Sequence, residues 1–276
     1  MTGKLIKYEF RSILKIMGIG WAALLSMALF AGLFDHITFR HNDMEGFGHL
    51  TEIASAITSF LYGSLFVAII VVTVLIILMR FYKGLLRDEG YLMHTLPMKT
   101  WQLITAKGVV AAAVSLISIL AATLSVLILM AFDGGIEYFG EFMEELLRAL
   151  GQHPAYIAIL LEALLLGVCW IAAMIYKAYA ALSIGQLAQK HRIALSVGAW
   201  IGIGVIFLIF LSILGNLSFS SAFSDWLEGL LEGIVNDSPL NAIQVGMWIL
   251  ILVEAVQIAI FHVVSEQILR RKLNLE

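Results

Sequence analysis

"SLFVAIIVVTVLIILM", Ser64–Met79, contains no charge, no proline and no glycine. Extended back to about residue 57, it is long enough to cross a bilayer, for which a helix needs roughly 20 mostly apolar residues. Working outward, five further runs have the same character: 17–34, 109–132, 155–177, 194–214 and 242–264. The chain has only 3 prolines, and the runs are long and unbroken. A membrane barrel would show short alternating strands instead. Of the 276 residues, 61% are hydrophobic and 13% charged, against about 25% charged in an ordinary soluble domain. So much apolar surface exceeds what a water-soluble core of this size can bury. The expected fold is therefore all-α and membrane-embedded, with six transmembrane helices. No internal repeat, low-complexity tract or linker divides the chain, so residues 1–276 are read as one membrane domain.

Charge sets the orientation. With the N-terminus in the cytoplasm, the inside segments hold all of the 17 lysines and arginines except Arg40 and Arg148. The outside loops hold acids, among them Asp35, Asp43, Glu52, Asp133, Glu137, Glu141, Glu144, Asp225, Glu228 and Asp237. This obeys the positive-inside rule at every loop and places both termini in the cytoplasm. The first run has a long basic lead and no A-x-A site after it, so it reads as a retained span. The single cysteine, Cys169, lies in the fourth run and allows no intrachain disulfide.

Ahead of the first run, Lys4, Lys7, Arg11 and Lys15 fall on one helical stripe, and Ile6, Phe10, Ile13 and Met17 on the opposite face. That pattern predicts an amphipathic helix in the inner interface, basic face toward anionic headgroups. Glu9 projects into the apolar arc. It is either a locally hydrated carboxylate or one half of a salt bridge, with Lys99 or Lys107 as candidate partners, because a carboxylate facing lipid is costly. On the outside, residues 136–150 place Ile136, Phe139, Met143, Leu146, Leu147 and Leu150 near one face, which predicts a short surface helix. Residues 219–235 read as a similar helix or a re-entrant hairpin.

The longest cytoplasmic connection is Arg80–Lys107, containing "RDEGYLMHTLPMKTWQLITAKG" from Arg87 to Gly108. Gly90 can end a helix. Pro97 holds Leu96 extended and can start the next helix. The segment reads as helix, bend, short helix, span, with Tyr91, Leu92, Met93 and Leu96 as apolar residues on a hook. The hook is either a docking surface or a cap on the bundle's own inner face.

"FYKGLLRDEGYLMHTLPMKTWQLITAKG" resembles the loop between the second and third spans of bacterial ABC transporter permeases of the type-two exporter class, in which "DEGYL…TLP…LI…K" recurs. "IGQLAQKHR" (Ile184–Arg192) and "ILRRKLNLE" (Ile268–Glu276) are similar to the same group. His94 departs from it, at a position expected to be apolar. The resemblance implies a plasma-membrane permease whose second-to-third loop carries a coupling helix seated in a separate ATPase subunit. It implies that Asp88, Glu89, Gly90, Tyr91, Thr95, Leu96 and Pro97 form the contact region, flanked by Lys99 and Lys107. It implies a second permease, identical or related, as partner. ATP and Mg are used by the ATPase, with no cofactor on this chain, and the substrate is a peptide, a lipid or another amphipathic molecule.

Other chemistry is missing from the sequence. There is no G-x-x-x-x-G-K-[ST] loop for ATP, no H-E-x-x-H or cysteine cluster for a metal, no G-x-S-x-G nucleophile, and no aromatic-interleaved basic patch for nucleic acid. His36, His41 and His49 are the closest histidines and read as surface residues. Catalytic residues are therefore not expected. Glu162 and Glu254 lie within spans, with Gln257 almost one turn beyond Glu254. Each is a candidate for the substrate path or for gating; the alternatives are a structural hydrogen bond or a protonated carboxyl. Lys177 and His262 are expected to snorkel to the inner interface. Gly198 and Gly202 form G-x-x-x-G, which suits close helix packing within the chain or at a dimer interface. Two functions fit: the permease subunit of an exporter, or a membrane-embedded sensor that engages a cytoplasmic partner without transport.

Overall fold

The structure, a computed structural model, describes residues 2–40, 48–86, 99–188, 190–218, 229 and 239–271. Its helices are α1 (Thr2–Arg40), α2 (Gly48–Phe81), α3 (Thr100–Phe132), α4 (Ile136–Gln152), α5 (Pro154–Gly185), α6 (Arg192–Ser218) and α7 (Pro239–Arg271). A π-helical turn, Tyr82–Leu86, continues α2. No strand occurs among the described residues. Every helix but α4 is long and apolar enough to cross a membrane, six in all, as expected of a multi-pass membrane protein.

The helices outrun the apolar runs that predicted them. Hydropathy marks where a chain can meet hydrocarbon, whereas a helix continues wherever its backbone bonds can continue. The effect is largest in α1. The expected interfacial helix and the first span form one unbroken helix of 39 residues, about 58 Å long at 1.5 Å per residue. A hydrocarbon core of about 30 Å cannot contain it. One buried stripe runs through both parts: Glu9, Ile13, Met17, Trp21, Leu24, Ala28 and Ala31, at spacings of three and four. Lys4, Lys7, Arg11 and Lys15 are exposed, as their helical stripe predicts.

The short helix predicted over 136–150 is α4. Its half-buried stripe is Phe139, Met143, Leu146 and Leu150, and Tyr138, Phe142 and Leu147 are exposed beside it. Residues 219–235 lie outside the described residues except Gly229.

Contacts divide the chain into two compact units: Met1–Met79 with Val109–Gln152, and Arg80–Gly108 with His153–Glu276. In the first, Ile13, Met17, Trp21, Leu24, Ile69, Ile76, Val110 and Val114 form the apolar core. A polar chain crosses that unit. Trp21 Nε1 donates to Ser118 Oγ at 3.0 Å, Ser118 Oγ lies 3.1 Å from Thr73 Oγ1, and Thr73 donates to the Ile69 carbonyl at 2.7 Å. Hydrogen bonds of this kind join helices where no water competes for the groups.

In the second unit, α5 packs against both α6 and α7. Trp248 bonds to Glu162, and the Tyr176 and His262 rings are in contact; both pairs are 86 residues apart. A constant offset over 14 residues, about 21 Å of helix, means that α5 and α7 run parallel and in register. α6 packs on α5 and returns antiparallel to it. At the turn, a Cβ added to Gly185 would collide with Ser196 and with the Arg192 carbonyl, so only glycine allows this approach.

Candidate functional site: the base of the 87–98 segment and the carboxylates of α5 and α7

Asp88, Glu89, Gly90, Tyr91, Thr95, Leu96 and Pro97 lie outside the described residues. The structure does describe where the chain leaves for this segment and where it returns. It leaves through the π-helical turn, in which Gly84, Leu85 and Leu86 are buried. Such turns interrupt a regular helix and recur at functional sites. It returns through Lys99, which caps α3. The Gln102 side chain accepts from the Lys99 N–H at 3.3 Å, and the Lys99 carbonyl accepts from the Gln102 N–H at 2.9 Å. This is the back-bonding half of a capping box.

Departure and return meet on two tyrosines of α5. Phe81, fully buried, stacks on Tyr179 with centroids 3.9 Å apart and planes 11° apart. The Tyr179 hydroxyl donates to the Lys107 carbonyl at 3.4 Å. Lys107 is 5% exposed, and its ammonium donates to the Arg80 carbonyl at 3.2 Å, where α2 passes into the π turn. One turn back along α5, the Tyr176 ring lies so close to Gly108 that any Cβ there would overlap it. Tyr176 also meets Tyr179 edge-on at 6.0 Å and His262 of α7 at 5.4 Å. Leu85, Leu103, Ile104, Ala180 and Ser183 are buried in this end of the unit. The result is a clamp: both ends of the 87–98 segment are fixed to α5, and through Tyr176 to α7.

Lys99 and Lys107 thus differ, one exposed at a helix cap and one buried. Phe81, Tyr176 and Tyr179 were not singled out in the sequence. The one signal for them is the pair of tyrosines three residues apart near the end of an apolar run, which places two rings on one helix face. Glu9, in the first unit, is buried.

Farther along α5 and α7 lie the carboxylates. Glu162 Oε1 accepts from Trp248 Nε1 at 2.9 Å, and Glu162 Oε2 is buried with no hydrogen-bond partner among the described residues. Glu254 shares the α7 stripe of Ile251, Ile258, Phe261 and Ser265, each buried or half-buried. Its Oε2 accepts from Gln257 at 3.4 Å. The Lys177 ammonium lies 5.2 Å from the centre of the Trp200 ring on α6, a cation–π contact. At Gly198 and Gly202 an added Cβ would meet nothing within 4 Å, so these glycines serve no packing among the described residues. No three His, Cys, Asp or Glu side chains among the described residues are grouped to hold a metal. Comparison with family models, with characterised proteins and with solved structures finds no match for this chain.

Proposed function

We propose that the chain is the membrane-spanning permease subunit of an ABC exporter, and that residues 87–98 carry the coupling helix by which a separate ATPase moves its spans. The observation that carries this reading is the clamp. A lever transmits force only if its base is rigid. Here both ends of the proposed lever are joined to α5 by a ring stack, by the Tyr179 hydroxyl on the Lys107 carbonyl and by a tyrosine against Gly108, and to each other by the Lys107 ammonium on the Arg80 carbonyl. A cap that merely covered the bundle would need no such attachment to one spanning helix.

In this reading ATP binding draws two ATPase subunits together, the seated segments move, and α5 with α7 tilts between inward-open and outward-open states. ATP shifts that equilibrium only through contacts that differ between the two states. The orientation is the one set by charge, with both termini and residues 80–108 cytoplasmic. The length of α1 supports a first span whose basic leading turns lie along the inner headgroups. Gly198 and Gly202, open in the single chain, suit the contact with a second permease.

The test is isolation of the chain from native membranes in mild detergent, with the co-isolated proteins identified and ATP hydrolysis measured. The proposal expects an ATPase carrying a G-x-x-x-x-G-K-[ST] loop, in stoichiometric amount. Recovery with a cytoplasmic partner that is not an ATPase, under the same conditions, would argue for the sensor instead, and a chain recovered alone would contradict the proposal.

A further inference from the structure

We propose that Glu162, oriented by Trp248, binds the cationic group of the transported molecule, so that the substrate is a cationic amphiphile. This rests on the permease reading and adds to it the chemistry of the cargo.

The first observation is the state of the carboxylate. One oxygen of Glu162 accepts the Trp248 indole N–H at 2.9 Å, which fixes the side chain. The other oxygen is buried without a hydrogen-bond partner among the described residues. Glu162 is eight residues from the start of α5, about 12 Å of helix, and 14 residues, about 21 Å, from the Tyr176 clamp. At that depth an ionised carboxylate with an unsatisfied oxygen is costly unless a positive charge meets it.

The second observation is that Glu162 has no cationic partner among the described residues. From Ile193 to Leu269 the sequence has no lysine or arginine, yet it carries Asp225, Glu228, Glu232, Asp237, Glu254 and Glu266. On α5 the only lysine is Lys177, 15 residues from Glu162 and held over Trp200 of α6. The positive-inside rule explains why cations are missing from the outer half; it does not explain why two acids are present inside spans. Two like charges in a low-dielectric region give a field that favours cations.

The third observation is the surrounding surface. Trp248, which holds Glu162, is exposed on α7. An aromatic face beside a carboxylate is the arrangement that recognises an ammonium or guanidinium. Leu160, Leu161, Leu164 and Leu165 are likewise exposed along α5 and offer apolar contact to a hydrocarbon tail. A charged head and an apolar tail together match the site. Glu254, on the half-buried stripe of α7 and six residues past Trp248, is the next acceptor toward the clamp.

The experiment uses the full chain in phosphatidylcholine nanodiscs and measures equilibrium binding of radiolabelled dodecyltrimethylammonium. Dodecyl sulfate and dodecyl maltoside serve as anionic and neutral competitors of equal tail length. Saturable binding of the ammonium is expected, displaced weakly or not at all by the other two. Glu162→Gln should weaken binding tenfold or more, while Glu162→Asp, which keeps the charge, should retain most of it. Trp248→Phe should weaken it less than Glu162→Gln. Equal binding by wild type and Glu162→Gln, equal loss in Glu162→Asp and Glu162→Gln, or equal competition by all three amphiphiles overturns the proposal. Failure of the permease reading is seen separately, as the absence of an ATPase, and leaves this binding measurement intact.

Discussion

Phe81→Ala should loosen the clamp, and its cost can be worked from the structure. Phe81 is fully buried and stacked on Tyr179 at 3.9 Å. In a membrane protein little of the loss is transfer from water, because unfolded spans remain in lipid. What remains is the cavity and the ring pair. Deleting the ring leaves roughly 100 Å³, which at about 24 cal/mol per Å³ gives about 2.4 kcal/mol without relaxation. The aromatic pair adds about 0.5–1.5 kcal/mol, partly counted in the cavity already. A total of about 2–4 kcal/mol follows. Phe81→Leu fills most of the space and should cost about 1–1.5 kcal/mol. Phe60, 74% exposed on α2, is the control, and Phe60→Ala should be nearly neutral. The assay is reversible unfolding in mixed micelles, titrated with sodium dodecyl sulfate and followed by tryptophan fluorescence. If Phe81→Ala unfolds within about 0.5 kcal/mol of Phe60→Ala, a resolution well below the predicted cavity cost, the stack supports nothing and the clamp is not rigid.

Three further outcomes are expected. Gly108→Ala places a Cβ 2.7 Å from Tyr176 Cζ and should cost about 1–3 kcal/mol as overpacking; combined with Tyr176→Leu, the loss should be smaller than the sum of the two single changes. A Cβ at Gly202 meets nothing within 4 Å among the described residues, so the unfolding midpoint of Gly202→Ala should match wild type while chemical cross-linking into a permease dimer falls; retained cross-linking would move that interface elsewhere. In a Cys169→Ser background, cysteines at Glu144 and at Lys190 should label from opposite sides of the membrane with an impermeant thiol reagent, and labelling of both from outside would refute the topology.

The six spans were legible because lipid tolerates little but apolar side chains, and such runs are hard to miss. The apolar arc that carries Glu9 was legible from a helical plot; its burial against the protein rather than against lipid was not. The continuity of α1 was not, because hydropathy changes at Met17 while helix propensity does not. The clamp was half legible. Gly90 and Pro97 read as a bend but lie outside the described residues, and nothing local reveals that Phe81 meets Tyr179, since that pairing joins residues far apart in sequence. The ring contact of Lys177 with Trp200, on the neighbouring helix, was not legible. Glu162 was found as an acid inside a span, and its indole partner emerged only from the parallel register of α5 and α7.

The central claim is that residues 87–98 dock an ATPase, and Leu96→Asp tests it most directly. A charge set into an apolar contact without a partner costs several kcal/mol, and each 1.4 kcal/mol is tenfold in affinity. The apolar runs are untouched, so the variant should insert, reach wild-type membrane levels and show the wild-type unfolding midpoint. The measurement is the amount of ATPase co-isolated with wild type and with Leu96→Asp at matched membrane levels. The account predicts a hundredfold or greater loss of affinity, with substrate-stimulated hydrolysis abolished. Full retention of the ATPase by the variant would contradict it and leave the segment as a cap on the bundle.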